Sequence, residues 1–274
     1  MVKIIADSGC ELTNEMLNKV TIVPLNLQLG DNTYIDDKEL DIDNFIKELH
    51  LNRKNRKTSA PAPFLYSDNF DKDNKTFVIT ISSKLSGSYN SARTAIDMFL
   101  EEHSTADICL IDSKSASAAE TLIVNKLIEL DKNNMTYDEI KKEILEFRDN
   151  IKTYFILENY DTFVDSGRIS PHVAKLGQML NIIPICGAED GKAVVRGQAR
   201  GEKKAYAKFL EFIKNENVDT ENRILAITHV DCLEKAEKLK NIINENFKFK
   251  DIIINKATGL CSVYADINGL IIAF

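Results

Sequence analysis

Nothing in this chain of 274 residues has the length and apolarity of a membrane-spanning helix, which takes about 20 consecutive apolar residues. Basic residues are outnumbered. Lys and Arg total 35 against 42 Asp and Glu, a net charge of −7, which argues against nucleic acid as a partner. Both glycine-rich phosphate cradles are missing. There is no G-x-x-x-x-G-K-[ST], and the nearest imitation, Gly187 to Ala193, is one residue short and ends in alanine. There is no G-x-G-x-x-G either, so neither fingerprint of nucleotide binding is present. His50, His103, His172 and His229 do not fall at metal-ligand spacing, so no metal and no cofactor is expected. The five cysteines (Cys10, Cys109, Cys186, Cys232 and Cys261) are odd in number, scattered and without a C-x-x-C pair. Three lie in apolar runs, as reduced core thiols of a cytoplasmic protein do. The opening Met1–Asp7 reads as a first strand and is too short for a signal peptide.

What is present centres on Ser82-Ser83-Lys84-Leu85-Ser86-Gly87-Ser88-Tyr89. An apolar run, Phe77–Ile81, precedes this stretch, and a helical pattern from Tyr89 to Leu100 follows it. A turn from strand exit to helix entry gathers hydroxyls, orphan N–H groups and the positive end of a helix dipole around one point, which suits an anion. Gly87 lets the backbone come close. Ordinary helix capping is the alternative reading of the same residues.

The first half alternates strand and helix, which predicts a parallel sheet covered on both faces. Strands are expected at Val2–Ala6, Phe77–Ile81 and Asp107–Ile111, an extended run at Val20–Leu29 and a helix from Thr13 through Lys19. Further helices are expected near 41–49, 116–130 and 136–150. The segment Lys57–Pro63 holds two prolines and reads as irregular. Three strand ends carry Asp7-Ser8, Ser82-Ser83 and Asp112-Ser113. Ligands of such sheets sit outside the carboxyl ends of the strands, so these residues mark a polar cleft. The second half mixes a hairpin around Glu189-Asp190-Gly191-Lys192 with helices, which reads as α+β. The expected organisation is an N-terminal α/β domain over 1–150 and a C-terminal α+β domain over 151–274.

Taken together, these residues make the chain resemble the DegV family, the bacterial fatty-acid-binding proteins that include the binding subunit of fatty acid kinase. The resemblance is carried by Asp7-Ser8, by Thr58-Ser59-Ala60-Pro61 against T-S-Q-P, and by Ser82–Tyr89 against S-S-x-L-S-G-T-Y. Asp112-Ser113-Lys114, Ser166–Ser170 and Ala199-Arg200 complete it. It implies a two-domain fold with a long-chain fatty acid buried between the domains. It also implies that Thr58 and Ser86 hold the ligand carboxylate, with Gly87 and Ser83 in the same turn. Arg168 and Arg200 match arginines linked to the kinase or the head group; surface salt bridges are the other reading of both. One departure stands out. Where the family has A-H-T-G-x-G, this chain has Tyr264-Ala265-Asp266-Ile267-Asn268-Gly269, with Ala265 at the histidine position. Tyr264, read as a strand neighbour of Ala265, is expected to point away, and Asp266 would repel a carboxylate if it faced the cleft.

The expected function is that of a carrier rather than an enzyme. It would hold a fatty acid in an apolar tunnel, with Val173–Leu180, Ile182 and Ile183 as a candidate wall, and present the carboxylate to a separate ATP-dependent fatty acid kinase. The alternatives are a hydrolase or transferase using Ser86, with His229 as its base, and a lipid sensor or storage protein without a kinase. The basic run Arg53–Lys57 suggests transient contact with an anionic membrane surface, or simply a solvated loop.

Overall fold

The computed structural model describes residues 2–52, 54–133, 135–177 and 181–274. In chain order the first part holds β1 (Val2–Asp7), β2 (Val20–Val23), β3 (Asn26–Leu29), β4 (Asn32–Ile35), α1 (Ile42–Leu51), β5 (Arg56–Ser59) and α2 (Pro63–Ser67). It continues with β6 (Lys75–Thr80), α3 (Ser88–Glu102), β7 (Ile108–Asp112), α4 (Ala118–Asp131) and α5 (Tyr137–Asp149). The strand order β2-β1-β6-β7 forms a fully parallel sheet. Its strands are apolar on both faces, as two-sided burial demands. Ile4, Ala6, Phe77 and Ile79 pack against α4 and α5, while Ile5 and Val78 point the other way, onto Tyr66 of α2 and Ala92, Ala95 and Ile96 of α3.

The second part holds β8 (Thr153–Ile156), α6 (Asp161–Asp165), α7 (His172–Gly177), β9 (Ile182–Glu189), β10 (Lys192–Arg200) and α8 (Glu202–Asn215). After these come β11 (Ile224–His229), α9 (Leu233–Asn246), β12 (Asp251–Lys256), α10 (Gly259–Ala265) and β13 (Leu270–Ala273). These strands make one mixed sheet in the order β10-β9-β8-β13-β11-β12. Helices α8 and α9 cover one face around Tyr206, Phe209 and Leu239, while Val173 and Cys261 pack on the other with Phe155 and Leu157. Helix α4 joins the two sheets. Residues 118–124 of this helix are buried on every side, Glu120 and Thr121 included. Ile123 and Val124 face the parallel sheet, and Ala118, Ala119 and Leu122 face Ala226 and Ala273 of the mixed one.

Three local expectations are corrected. Residues 14–19 form turns instead of a helix, held by Met16 and Leu17 N–H groups on the Thr13 carbonyl; so short a segment does not repay helix nucleation. The run Val20–Leu29 is two strands, β2 and β3, which separate at Pro24 and Leu25 and join different sheets. Lys57–Pro63 is not irregular throughout. Thr58 and Ser59 lie in β5, an edge strand of a small antiparallel sheet β4-β3-β5, and Pro63 opens α2 at the first helical position, where a missing N–H costs nothing. Proline restrains only its predecessor, so it did not reach back to Thr58.

Candidate functional site

Asp7, Ser82 and Asp112 stand at the carboxyl ends of β1, β6 and β7, three adjacent parallel strands. Asp7 is fully buried. One carboxylate oxygen accepts the Gly9 N–H at 3.0 Å and the other the Ile81 N–H at 2.9 Å, which fixes the exits of β1 and β6 together. Burial outweighs these bonds and pushes its pKa up to about 6. Asp112 accepts the Ser83 N–H at 3.2 Å. The Ser82 hydroxyl donates to the Gly191 carbonyl at 2.7 Å, at the tip of the β9–β10 hairpin. The serine loop is therefore clasped by its own sheet from below and by the hairpin from above.

Beside this loop lies a cavity with about 960 Å³ of atom-free space, mouth included, between the parallel sheet and the mixed sheet. Its walls are mainly apolar: Leu25, Ile81, Phe155, Leu157, Phe163 and Ile271. Polar groups gather at one place. Thr58, Ser86, Gly87 and Tyr264 all line it. Oγ1 of Thr58 is 3.0 Å from the Tyr264 hydroxyl, and Oγ of Ser86 is 3.0 Å from Oγ of Ser88. Ala60 links the two pairs, since a Cβ on Gly87 would sit 3.2 Å from the Ala60 Cβ. Gly87 is the N-cap of α3 and lacks a side-chain cap. Its N–H has no protein partner among the described residues. Elsewhere on the wall the hydroxyls of Ser115 and Thr153 satisfy each other at 2.9 Å. Three hydroxyls, a free N–H and a helix N-terminus at one end of an apolar cavity suit a group that accepts hydrogen bonds and carries negative charge.

The residues singled out from the sequence fall as follows. Thr58, Ser86 and Gly87 come together on the wall. Ser83 does not line the cavity; its N–H is engaged by Asp112. Arg168 stands exposed at the rim, its Nε donating to the Leu85 carbonyl at 3.1 Å and its Nη1 to the Ser166 carbonyl. Arg200 ends β10, opposite Ile182, away from the cavity wall. Val173 packs into the core, Ile182 and Ile183 do not line the cavity, and Gln178, Met179 and Leu180 lie outside the described residues. Ala265 lines the wall as expected of its position, and Asp266 turns away. It pairs with Arg56 at 3.3 Å and accepts from Asn159 at 3.2 Å. Arg56 therefore does not belong to a surface patch: its side chain is 2 % exposed and also donates to the Leu49 and Asn52 carbonyls. Arg53 of the same run lies outside the described residues. Among the described residues no histidine lines the cavity. His229, the base expected for Ser86, faces another cleft, its Nδ1 taken by the Cys232 N–H at 3.2 Å.

Tyr264 is the site residue that sequence reasoning missed. Residues 259–265 are a helix, not a strand. Neighbours on a helix are about 100° apart, so Tyr264 and Ala265 can both face the cavity. Asp36 holds this helix in place, its carboxylate accepting the Gly259 and Leu260 N–H groups at 2.9 and 2.8 Å. No local signal marks this helix: it has seven residues, and its capping carboxylate, Asp36, is remote in sequence.

Comparison with known proteins gives a consistent result. The family model of the DegV proteins matches residues 1–273. A DegV domain-containing protein of Streptococcus gordonii is 34% identical over 278 residues, covering 99% of this chain and 98% of its own. A crystal structure of a DegV family protein from Ruminococcus gnavus with vaccenic acid has a TM-score of 0.94 at 33% identity, covering 100% of this chain and 99% of that one. The Streptococcus pneumoniae fatty acid kinase B3 protein, loaded with linoleic acid, has a TM-score of 0.92 at 31% identity, with coverage of 100% and 99%.

Proposed function

The chain belongs to the DegV family, and we propose that it binds a long-chain fatty acid in the cavity between its two sheets and presents the carboxylate to a separate ATP-dependent fatty acid kinase. The observation that carries this reading is the set of donors at one end of an apolar cavity: Thr58, Ser86, Tyr264 and the Gly87 N–H. An ionised carboxylate only accepts hydrogen bonds, so hydroxyls and amides suffice to hold it without a metal. The tail provides most of the affinity. At roughly 0.8 kcal/mol per CH₂, about 14 methylenes contribute on the order of 11 kcal/mol before the cost of ordering the chain. Relatives solved with vaccenic and linoleic acid support the ligand class, and the kinase protein among them supports the partner. The exposed Arg168 at the rim, with Lys192 on the same lining, supports a contact with that partner or the head group.

The test is native mass spectrometry of the purified protein, followed by a turnover assay. A co-purified fatty acid is expected, and a fatty acid kinase with ATP should convert it to acyl phosphate. The isolated chain should not titrate with ATP in calorimetry. An empty cavity that stays empty on addition of oleate would overturn the ligand. A bound acid that the kinase never phosphorylates would leave a storage or sensing protein.

A further inference from the structure

The cleft at the carboxyl ends of β11 and β12 plays no part in the fatty-acid cavity. These strands are parallel neighbours, α9 starts where β11 ends, and the ends of such strands are where open sheets gather ligands. His229 closes β11. It is only 5 % exposed, lines the cleft, and accepts the Cys232 N–H on Nδ1. Burial, and then the nearby Lys256 cation, hold this histidine below its ordinary range, so the ring is neutral at pH 7. Its proton must sit on Nε2, because an accepting nitrogen carries none. That Nε2–H has no protein partner among the described residues.

Helix α9 adds a second set of donors. It has 14 residues, enough for a full dipole, and its N-cap Cys232 provides no side-chain cap. The Lys235 and Ala236 N–H groups return to the Cys232 carbonyl. The Leu233 and Glu234 N–H groups find no acceptor among the described residues. Helices α1, α5 and α10 by contrast are capped by Asp41, Thr136 and Asp36. Asn268 brings a side-chain amide to the same cleft. Lys235 and Lys256 on the wall are balanced by Asp231 and Glu234. Lys256 also pairs with Asp43, and Lys235 with Glu158. The two lysines are thus engaged by Asp43 and Glu158, and Asp231 and Glu234 stay on the lining, so an anion can be held there only by direct contact with the uncharged donors.

We propose that this cleft, formed by His229, Asn268 and the uncapped start of α9, is a second binding site that takes a small oxyanion of the phosphate class. Donors from three elements line this one cleft, which suits an acceptor with oxygens on several sides better than an apolar group. The site is distinct from the fatty-acid cavity but not isolated from it. The Asn268 N–H donates to the Val230 carbonyl and the Val230 N–H to the Gly269 carbonyl. The loop 266–269 therefore runs from the cleft straight into α10, which carries Tyr264 and Ala265.

The experiment follows the His229 ring protons by NMR while inorganic phosphate is added to the whole protein across the millimolar range, with chloride at equal ionic strength as the control. A saturable displacement with phosphate and none with chloride is expected. His229 is buried and its removal endangers the fold, so the informative variant is Leu233→Pro. Proline is well tolerated at the first helical position and deletes one free N–H. Phosphate should then bind about tenfold more weakly, as expected for one lost hydrogen bond to a charged group, with the unfolding midpoint retained. Tighter binding of glycerol 3-phosphate than of inorganic phosphate would assign the site to phosphomonoesters, and the reverse to the free ion. No saturable change, an equal change with chloride, or unaltered affinity in Leu233→Pro overturns the proposal.

Discussion

The hydroxyl of Tyr264 lies 3.0 Å from Oγ1 of Thr58, joining α10 of one half of the chain to β5 of the other. This pair stands where the family pattern has a histidine and the present chain has Ala265. The phenol one residue earlier on the same helix lines the same cavity wall as Ala265.

Removal of that phenol should weaken ligand binding without unfolding the site. Tyr264→Phe keeps the ring and its edge contact with Phe163, 5.1 Å between centroids, and deletes one O–H. A hydrogen bond to a charged group is worth about 1.5–3 kcal/mol, so fatty-acid affinity should fall at least tenfold in a displacement assay. Ser86→Ala together with Thr58→Val should cost more. Unchanged affinity in all of these would place the head group elsewhere.

Ala265→His restores the family residue on a wall that faces the cavity. It should tighten the head group and raise acyl-phosphate formation by a fatty acid kinase. If neither changes, Tyr264 has taken over the role completely and the histidine position is redundant here.

Arg56 and Asp266 form a buried ion pair between the start of β5 and the end of α10. Breaking one partner of such a pair strands a charge and costs about 3–5 kcal/mol. Arg56→Ala should lower the thermal midpoint markedly, whereas Lys54→Ala, fully on the surface, should not move it. Vesicle sedimentation is therefore best tested with Lys54 and Lys57 alone neutralised; loss of binding to anionic vesicles would support a membrane-facing role for this run.

Among the described residues four buried carboxyls lie with no ion-pair partner: Asp7, Glu11, Asp36 and Glu120. Burial pushes Asp7 and Asp36 up to about 6 and Glu11 to about 7, and Glu120 is raised well above its ordinary value by burial and then by Asp7. The folded state thus holds protons that the unfolded chain has already released near pH 4. Stability from these groups is complete below that pH and is lost as pH rises through 6 to 7. Each pKa unit is worth about 1.4 kcal/mol, so urea midpoints should fall from pH 5 to pH 8. Glu11→Gln should flatten that slope. A midpoint that rises over this range would contradict the assignment.

Much of the fold was readable from short-range pattern. The parallel sheet follows from the apolar runs at 2–6, 77–81 and 107–111, the last two each with a helix after it, and the cleft from Asp-Ser and Ser-Ser at three strand exits. What was not readable depended on partners distant in sequence. Nothing local to Val20–Leu29 says that its halves belong to different sheets; only pairing with β1 and with Thr58 decides that. Tyr264 was misplaced because a seven-residue helix has too few turns to show a period. Its cap, Asp36, lies 223 residues away. Arg56 looked like one charge of a basic run because its partner, Asp266, is equally remote.

The position of β13 has a consequence for how the protein acquires its ligand. This strand follows every other strand of the mixed sheet in sequence, yet it lies between β8 and β11. A chain emerging vectorially from the ribosome therefore carries two sheet fragments that cannot zip together until residues 270–273 arrive. Ile271 of this strand and its neighbour Phe155 line the cavity, so the wall is complete only once residues 270–273 are in place.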